Sequence, residues 1–297
     1  MSALNYPVDE YGQYVMTARP VLKWVGGKSQ LEAPILKAIE RLHPGEISVY
    51  YEPFAGGLAI FFALRRQFKI RSAVLSDTNE ELINFYLQVQ QEPEALIIAL
   101  RKLKASGSGE KHYYEVRDSR PKSGAARAAR FKYLNARGYN GLYRVNKKNI
   151  FNVPWGRHKK PPEILHEDAL WAAHHALSIA EIKCVSYLKI FEDVLPMLPG
   201  FVYLDPPYWP TRPTANFTSY TSEDFGQQDQ KELRYQFGKL ATAGTSTALL
   251  SNSDVPETRK LYSLFKKKKV SARRNVNSVG SGRGAVSELL VESSFRK

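Results

Sequence analysis

The amino-acid sequence predicts an α/β fold interrupted by an inserted helical and basic unit. Three observations point to it: short apolar runs bounded by turn residues, a glycine pair between the first of these runs and a helical stretch, and a change of pattern from roughly residue 90 to 190. With 297 residues and 43% hydrophobic content, the chain can bury a sizeable core.

The elements are expected in this order. Residues 29–42 (SQLEAPILKAIERL) have helical apolar spacing with Ser29 as candidate N-cap, and 47–54 (ISVYYEPF) reads as a strand running into a turn. After Gly56 and Gly57, the stretch LAIFFALRR reads as a helix, and 72–79 (SAVLSDTN) as a second short strand that ends in an acid, which completes a βαβ unit. Residues 80–104 have helical spacing broken near Pro93, 106–110 (SGSGE) has the composition of a flexible loop, and 117–126 is basic with glycine and proline. From 127 to about 190 a helix, an aromatic and basic segment with turn signals, and a second helix are expected. Strand character returns at 201–204, 246–251 and 286–292, and neither an internal repeat nor a long low-complexity tract is present. The predicted division is one domain from 1–90 plus 191–297, with 91–190 as the insert.

Charge narrows the partner. There are 43 Lys+Arg against 29 Asp+Glu, a formal +14, and the pI is near 9.6. Basic runs at 127–132, 144–148, 156–160, 266–269 and 272–274 are interleaved with Tyr139, Tyr143, Phe151 and Trp155. Aromatics stack on bases while cations neutralise phosphates, so the pattern reads as a nucleic-acid surface, although the lysine run Lys266–Lys269 fits a solvated face equally well. No stretch approaches the roughly 20 apolar residues of a membrane span, and the acidic, tyrosine-rich start (MSALNYPVDEYGQY) is unlike a secretory leader, so a cytoplasmic location is expected. The single cysteine, Cys184, excludes an intramolecular disulfide and is expected as a small buried hydrophobe; the six histidines, including His174 and His175, lack metal-ligand spacing and read as helix-surface or core residues.

Three stretches carry chemistry. In 51–57 (YEPFAGG) a glycine turn is followed by Asp77, 21 residues after Gly56, which is the spacing of a turn and a ribose-binding acid for an adenosine-containing cofactor. The full dinucleotide fingerprint is missing, and by themselves the glycines also describe a plain tight turn. In 23–29 (KWVGGKS) a phosphate loop is excluded, because its first glycine would stand at Leu22; a lysine and an indole beside a glycine hinge suit a cofactor with a carboxylate and a purine. In 205–208 (DPPY) the Asp205 carboxylate and the Pro206 carbonyl can accept the two N–H bonds of an exocyclic base amine, whose lone pair is otherwise delocalised into the ring. Pro206 and Pro207 stiffen the backbone, and Tyr208 can stack on a base rotated out of a duplex. The alternative for these four residues is a structural strand-end turn with a capping aspartate.

Together EPFAGG, SDTN and DPPY, preceded by KWVGGK, resemble the motif set of the Dam-type DNA N6-adenine methyltransferases, the D12 class. Residues 133–161 resemble that family's recognition hairpin, and 215–221 (ANFTSYT) and 251–253 (SNS) its later motifs, so the similarity runs from about residue 20 to the C-terminus. The resemblance implies a Rossmann-like methyltransferase sheet with a helical and β-hairpin target-recognition insert, S-adenosylmethionine as cofactor, double-stranded DNA as partner, base flipping, and adenine N6 in GATC as target. A monomer with neither metal nor membrane association is expected. Carried over by position, it implies cofactor contacts at Trp24, Lys28, Phe54, Gly56, Asp77 and Asp205, catalysis by Asp205, Pro206, Pro207 and Tyr208, and DNA contacts at Lys23, Tyr139, Asn140, Leu142, Arg144 and Pro154. Leu58 stands where the family commonly keeps a small residue, often glycine, which implies an altered cofactor turn. Competing readings are an RNA or protein-glutamine methyltransferase, neither of which explains 133–161 and of which the protein-glutamine enzymes typically carry asparagine at the place of Asp205, and a catalytically inactive DNA-binding module, which would keep the basic surface but lack transfer.

Overall fold

In the computed structural model, which describes residues 15–24, 26–194, 198–210, 225–273 and 285–295, the apolar runs become a seven-stranded sheet. Its strands are β1 (Ile47–Glu52), β2 (Ile70–Asp77), β3 (Ala180–Cys184), β4 (Phe201–Leu204), β5 (Thr247–Ser253), β6 (Phe265–Arg273) and β7 (Ala285–Phe295), in the spatial order β3-β2-β1-β4-β5-β7-β6. The first five are parallel, and β7 runs antiparallel to both β5 and β6. This is a Rossmann-like order closed by an antiparallel hairpin. Along β4, Phe201 and Tyr203 enter one core while Val202 and Leu204 enter another, all four fully buried. Both faces of the sheet are therefore covered, which is why β4 is apolar throughout instead of alternating with polar residues.

The helices are α1 (Glu32–Leu42), α2 (Ala59–Arg66), α3 (Glu80–Gln91), α4 (Pro93–Ala105), α5 (Gly109–Asp118), α6 (Gly124–Arg137), α7 (Glu167–Leu177), the short α8 (Tyr187–Lys189), α9 (Gln227–Ala243) and α10 (Pro256–Leu261). Local chemistry sets several ends. Asn79 caps α3 by accepting from Leu82 N, with Glu80 and Glu81 in the first turn, and Pro93 opens α4 where its missing N–H costs nothing. Ser123 caps α6, and Gly244, at φ 66°, closes α9.

Four expectations are corrected here. The helix expected from Ser29 starts at Glu32 behind a 3-10 turn, Lys28–Gln30, that keeps Lys28 pointing inward at 4% exposure. The loop expected at 106–110 is shorter, since α5 begins at Gly109 and buries Tyr113 and Val116. Strands β3 and β6 were not legible; β3 pairs with β2 although it falls within the 91–190 stretch, and β6 carries Lys266–Lys269. Both lie at sheet edges, where one buried face is enough and lysines discourage further pairing. Because it ends the edge strand β3, Cys184 is exposed rather than buried. The 215–221 motif lies outside the described residues. No helix among the described residues is long and apolar enough to cross a membrane, and no group of three His, Cys, Asp or Glu there could hold a metal.

Candidate active site

Parallel strands end at one edge of the sheet, and the predicted chemical residues collect where β1, β2 and β4 end. Asp205 follows β4 directly. Lys28 Nζ approaches Asp205 Oδ2 to 2.8 Å, donates to the Gly26 carbonyl at 2.6 Å, and stands 4.8 Å over the Tyr208 ring. The other carboxylate oxygen, Asp205 Oδ1, is buried and accepts no hydrogen bond among the described residues. Burial raises the Asp205 pKa above the ordinary carboxylate value, with Lys28 and, to a lesser degree, the nearby Tyr208 hydroxyl pulling against it; that hydroxyl nevertheless directs its proton to Glu288, not to Oδ1.

The loop after Asp205 is held from the second face of the sheet. Gln230 Nε2 on α9 donates to the Pro207 carbonyl at 2.7 Å, the Trp209 N–H reaches Asn252 Oδ1 at 3.0 Å, and Ser253 Oγ donates to the Trp209 carbonyl at 2.7 Å. Asn252 in turn donates to Gln230 Oε1 at 3.1 Å. Gln230, Asn252 and Ser253 are buried, so these bonds are shielded from water. Among the described residues none is made to the Pro206 carbonyl. Tyr208 donates its hydroxyl to Glu288 Oε2 at 2.6 Å; burial raises the phenol pKa well above its ordinary value and keeps that proton in place.

At the end of β1 and β2, Gly56 N–H and Asn79 N–H reach the two oxygens of Asp77 at 3.2 and 3.0 Å, so the acid expected from its spacing does meet the glycine turn. Burial raises the Asp77 pKa, and these N–H groups oppose the rise. The space over the turn belongs to Trp24: a Cβ at Gly56 or Gly57 would stand 3.0 or 3.1 Å from its side chain. These glycines admit an indole. Phe54 stacks on Tyr187 at 5.1 Å and meets Phe225 edge-on at 5.8 Å, an apolar wall beside the site. Leu58, at φ 54° and 1% exposed, belongs to the buried core that Trp24 also packs against.

The residues expected to contact DNA lie on a separate hairpin, apart from Lys23, which lies beside it. Gly138 pairs with Trp155 and Val145 with Phe151, and Tyr139 N–H reaches the Pro154 carbonyl at 2.9 Å. Tyr139, Arg144 and Pro154 are exposed, as is Lys23 beside the hairpin; Asn140, at φ 55°, and Leu142 are half-buried. Arg144 donates from Nε to Asn152 Oδ1 at 2.8 Å, which restrains the exposed guanidinium.

Sequence reasoning missed the supporting residues Glu52, Asn135, Gln230, Asn252 and Glu288. Glu52 offered a signal as the acid of YEPFAGG: it is buried, takes the Tyr50 hydroxyl at 2.9 Å, and burial raises its pKa to about 8, with the Asp205 charge adding to the rise. Asn252 lies in the SNS motif already noted. Asn135 lies within the 133–161 stretch also noted, and Gln230 and Glu288 carry no local pattern.

Residues 24–276 match the D12 class N6 adenine-specific DNA methyltransferase family. The type II methyltransferase M.MjaIII of Methanocaldococcus jannaschii is 39% identical over 289 residues, covering 93% of this chain and 99% of its own. The DNA adenine methylase of Vibrio cholerae is 37% identical over 277 residues (92% and 95% of the two chains), and that of Escherichia coli 36% over 279 (92% and 94%).

Proposed function

The chain belongs to the D12 class N6 adenine-specific DNA methyltransferase family, and on that premise we propose that it methylates adenine N6 in GATC sites of duplex DNA, with S-adenosylmethionine as donor and the target base rotated out of the helix. The observation that carries this reading is Asp205 Oδ1, a buried acceptor without a partner among the described residues, beside a carbonyl of the same loop that also accepts nothing there. An unmet acceptor in that position suits a ligand donor.

The residues at the strand ends fit the cofactor: Lys28 and Asp205 offer opposite charges, Asp77 a carboxylate at the end of β2, and Phe54 and Trp24 aromatic surface. Trp24, Lys28, Phe54, Gly56, Asp77 and Asp205 would hold S-adenosylmethionine, which when bound supplies a methyl group activated by a positively charged sulfur. The chain itself must aim the amine. Asp205 Oδ1 and the Pro206 carbonyl each take one N–H of adenine N6, which frees the nitrogen lone pair from the ring. Tyr208, tethered by Glu288, offers its face to the flipped base and offsets part of the lost stacking. The nitrogen must shed a proton as it gains a methyl, and the raised pKa of Asp205 suits Oδ1 to receive it. Lys23, Tyr139, Asn140, Leu142, Arg144 and Pro154 read the duplex from the 91–190 insert and the segment beside it, and the enzyme acts as a monomer.

The test is transfer of labelled methyl from S-adenosylmethionine to duplexes with GATC, with its adenine replaced, and to RNA, alongside mapping of methylated adenines in genomic DNA. Label on GATC adenine alone, lost in Asp205→Ala with DNA binding kept, is expected. Label on another adenine context overturns the target, label on RNA alone favours the RNA reading, and DNA binding without any transfer favours the inactive module.

A further inference from the structure

Asn135, on α6, is 1% exposed and uses its side-chain amide on two other segments of the chain. Its Oδ1 accepts from Lys23 N–H at 2.9 Å, and its Nδ2 donates to the Lys23 carbonyl at 2.7 Å and to the Gly141 carbonyl at 3.3 Å. One residue thus clamps the segment that leads into Trp24 and Lys28 to the turn that leads into the hairpin. Lys132, one turn earlier on α6 and also buried, donates to the Val21 carbonyl of the same segment. Gly141 completes the junction: at φ 66° it lies so close to Lys23 that a Cβ there would stand 2.5 Å from Lys23 Cδ. Above the junction the contact continues through Trp24, whose indole covers the Gly56-Gly57 turn and stacks at 5.9 Å and 22° on Tyr143 of the hairpin.

We propose that Asn135 is a positioning residue that couples cofactor binding to target recognition, transmitting the placement of the hairpin to the Lys23–Lys28 segment and the reverse. The proposal rests on the function given above, since it takes the strand ends as the cofactor site and the hairpin as the DNA reader. Coupling of this kind is a reciprocal free energy carried by a physical link, and here the link is a buried amide that makes three hydrogen bonds. A movement of Gly141 on DNA must shift Lys23, because both amide donors are already engaged and the space between Gly141 and Lys23 is filled.

The experiment measures the dissociation constant of sinefungin, a non-reacting analogue of the proposed cofactor, with and without a duplex bearing the preferred site. It is done for the parent, Asn135→Ala and Gly141→Ala, each first shown to be folded by circular dichroism. The parent is expected to bind the analogue at least about tenfold tighter on the duplex. Asn135→Ala should bring that ratio to within about twofold of one while changing affinity without DNA by less than about threefold. Gly141→Ala, which leaves the amide in place, should reduce the ratio as well and keeps the test alive if Asn135→Ala does not fold. Equal losses with and without DNA, leaving the ratio intact in the folded variants, would show that Asn135 merely holds the structure together and would overturn the inference. A parent that binds analogue and duplex independently also overturns it, with the proposed function untouched; a parent that binds no analogue at all refutes the cofactor site first.

Discussion

Replacing Lys28 with methionine tests whether that lysine sets the charge of Asp205. Lys28 is 4% exposed and its Nζ stands 2.8 Å from an Asp205 carboxylate that is 22% exposed, so few waters can substitute for it. Burial already raises the Asp205 pKa, and Lys28 is the chief influence in the other direction. An opposite charge at such a distance holds a carboxylate pKa down, so Lys28→Met should raise that of Asp205 further. In the proposed reaction transfer requires the carboxylate, hence the rate falls as pH drops through its pKa. In single-turnover assays at saturating cofactor, the acid limb of the pH profile should move to higher pH, with much of the rate regained at alkaline pH. Stability follows the same sign. A group titrating above its unfolded value favours the fold most below that unfolded value and loses the contribution as pH rises through the folded one. The variant should therefore lose about 1–3 kcal/mol mainly at neutral and alkaline pH, less than for a fully buried broken pair because Asp205 keeps some water. A uniformly slower enzyme with its acid limb unmoved would mean that Lys28 serves cofactor affinity alone.

Three further outcomes are expected. Leu58→Gly relieves a left-handed backbone at φ 54° but empties a buried leucine site, so it should destabilise by about 1–2 kcal/mol in urea titrations without tightening cofactor binding in calorimetry; a tighter binder would place Leu58 at the site. Glu52, with its pKa raised to about 8, favours the fold fully below its unfolded value near 4.5 and progressively less up to about 8, so Glu52→Gln should flatten the pH dependence of stability across that window; an unchanged slope there would place the titration elsewhere. Arg144→Ala should cost about 1–3 kcal/mol on the preferred site and much less on a site altered at the one base pair it reads; an equal loss on every single-base variant at fixed salt would reduce Arg144 to a phosphate contact.

The contrast between what sequence exposes and what it hides runs along sequence separation. Strand β4 was legible because both its faces are covered and four apolar residues stand in a row, whereas β3 (AEIKC) and β6 (FKKKKVSAR) have one open flank and need no such run. The acid of SDTN meets the glycine turn because its bond to Gly56 spans one βαβ unit, a distance at which turn chemistry and strand period still determine geometry. Asp205 and Tyr208 stand out in the sequence because an acid, two prolines and an aromatic form a local pattern. The residues that support the candidate site share no such pattern: Glu288 reaches Tyr208 across 80 positions and Asn135 reaches Lys23 across 112. An asparagine inside a helix, a glutamine on an amphipathic face or a glutamate in a strand is chemically ordinary until the fold buries it against an unmet backbone group. The same residues show why the site can keep an unmet acceptor at Asp205 Oδ1. Gln230, Asn252 and Ser253 hold the backbone from Pro207 to Trp209, so the loop cannot turn to satisfy that oxygen internally, and the acceptor stays available for a donor from outside the chain.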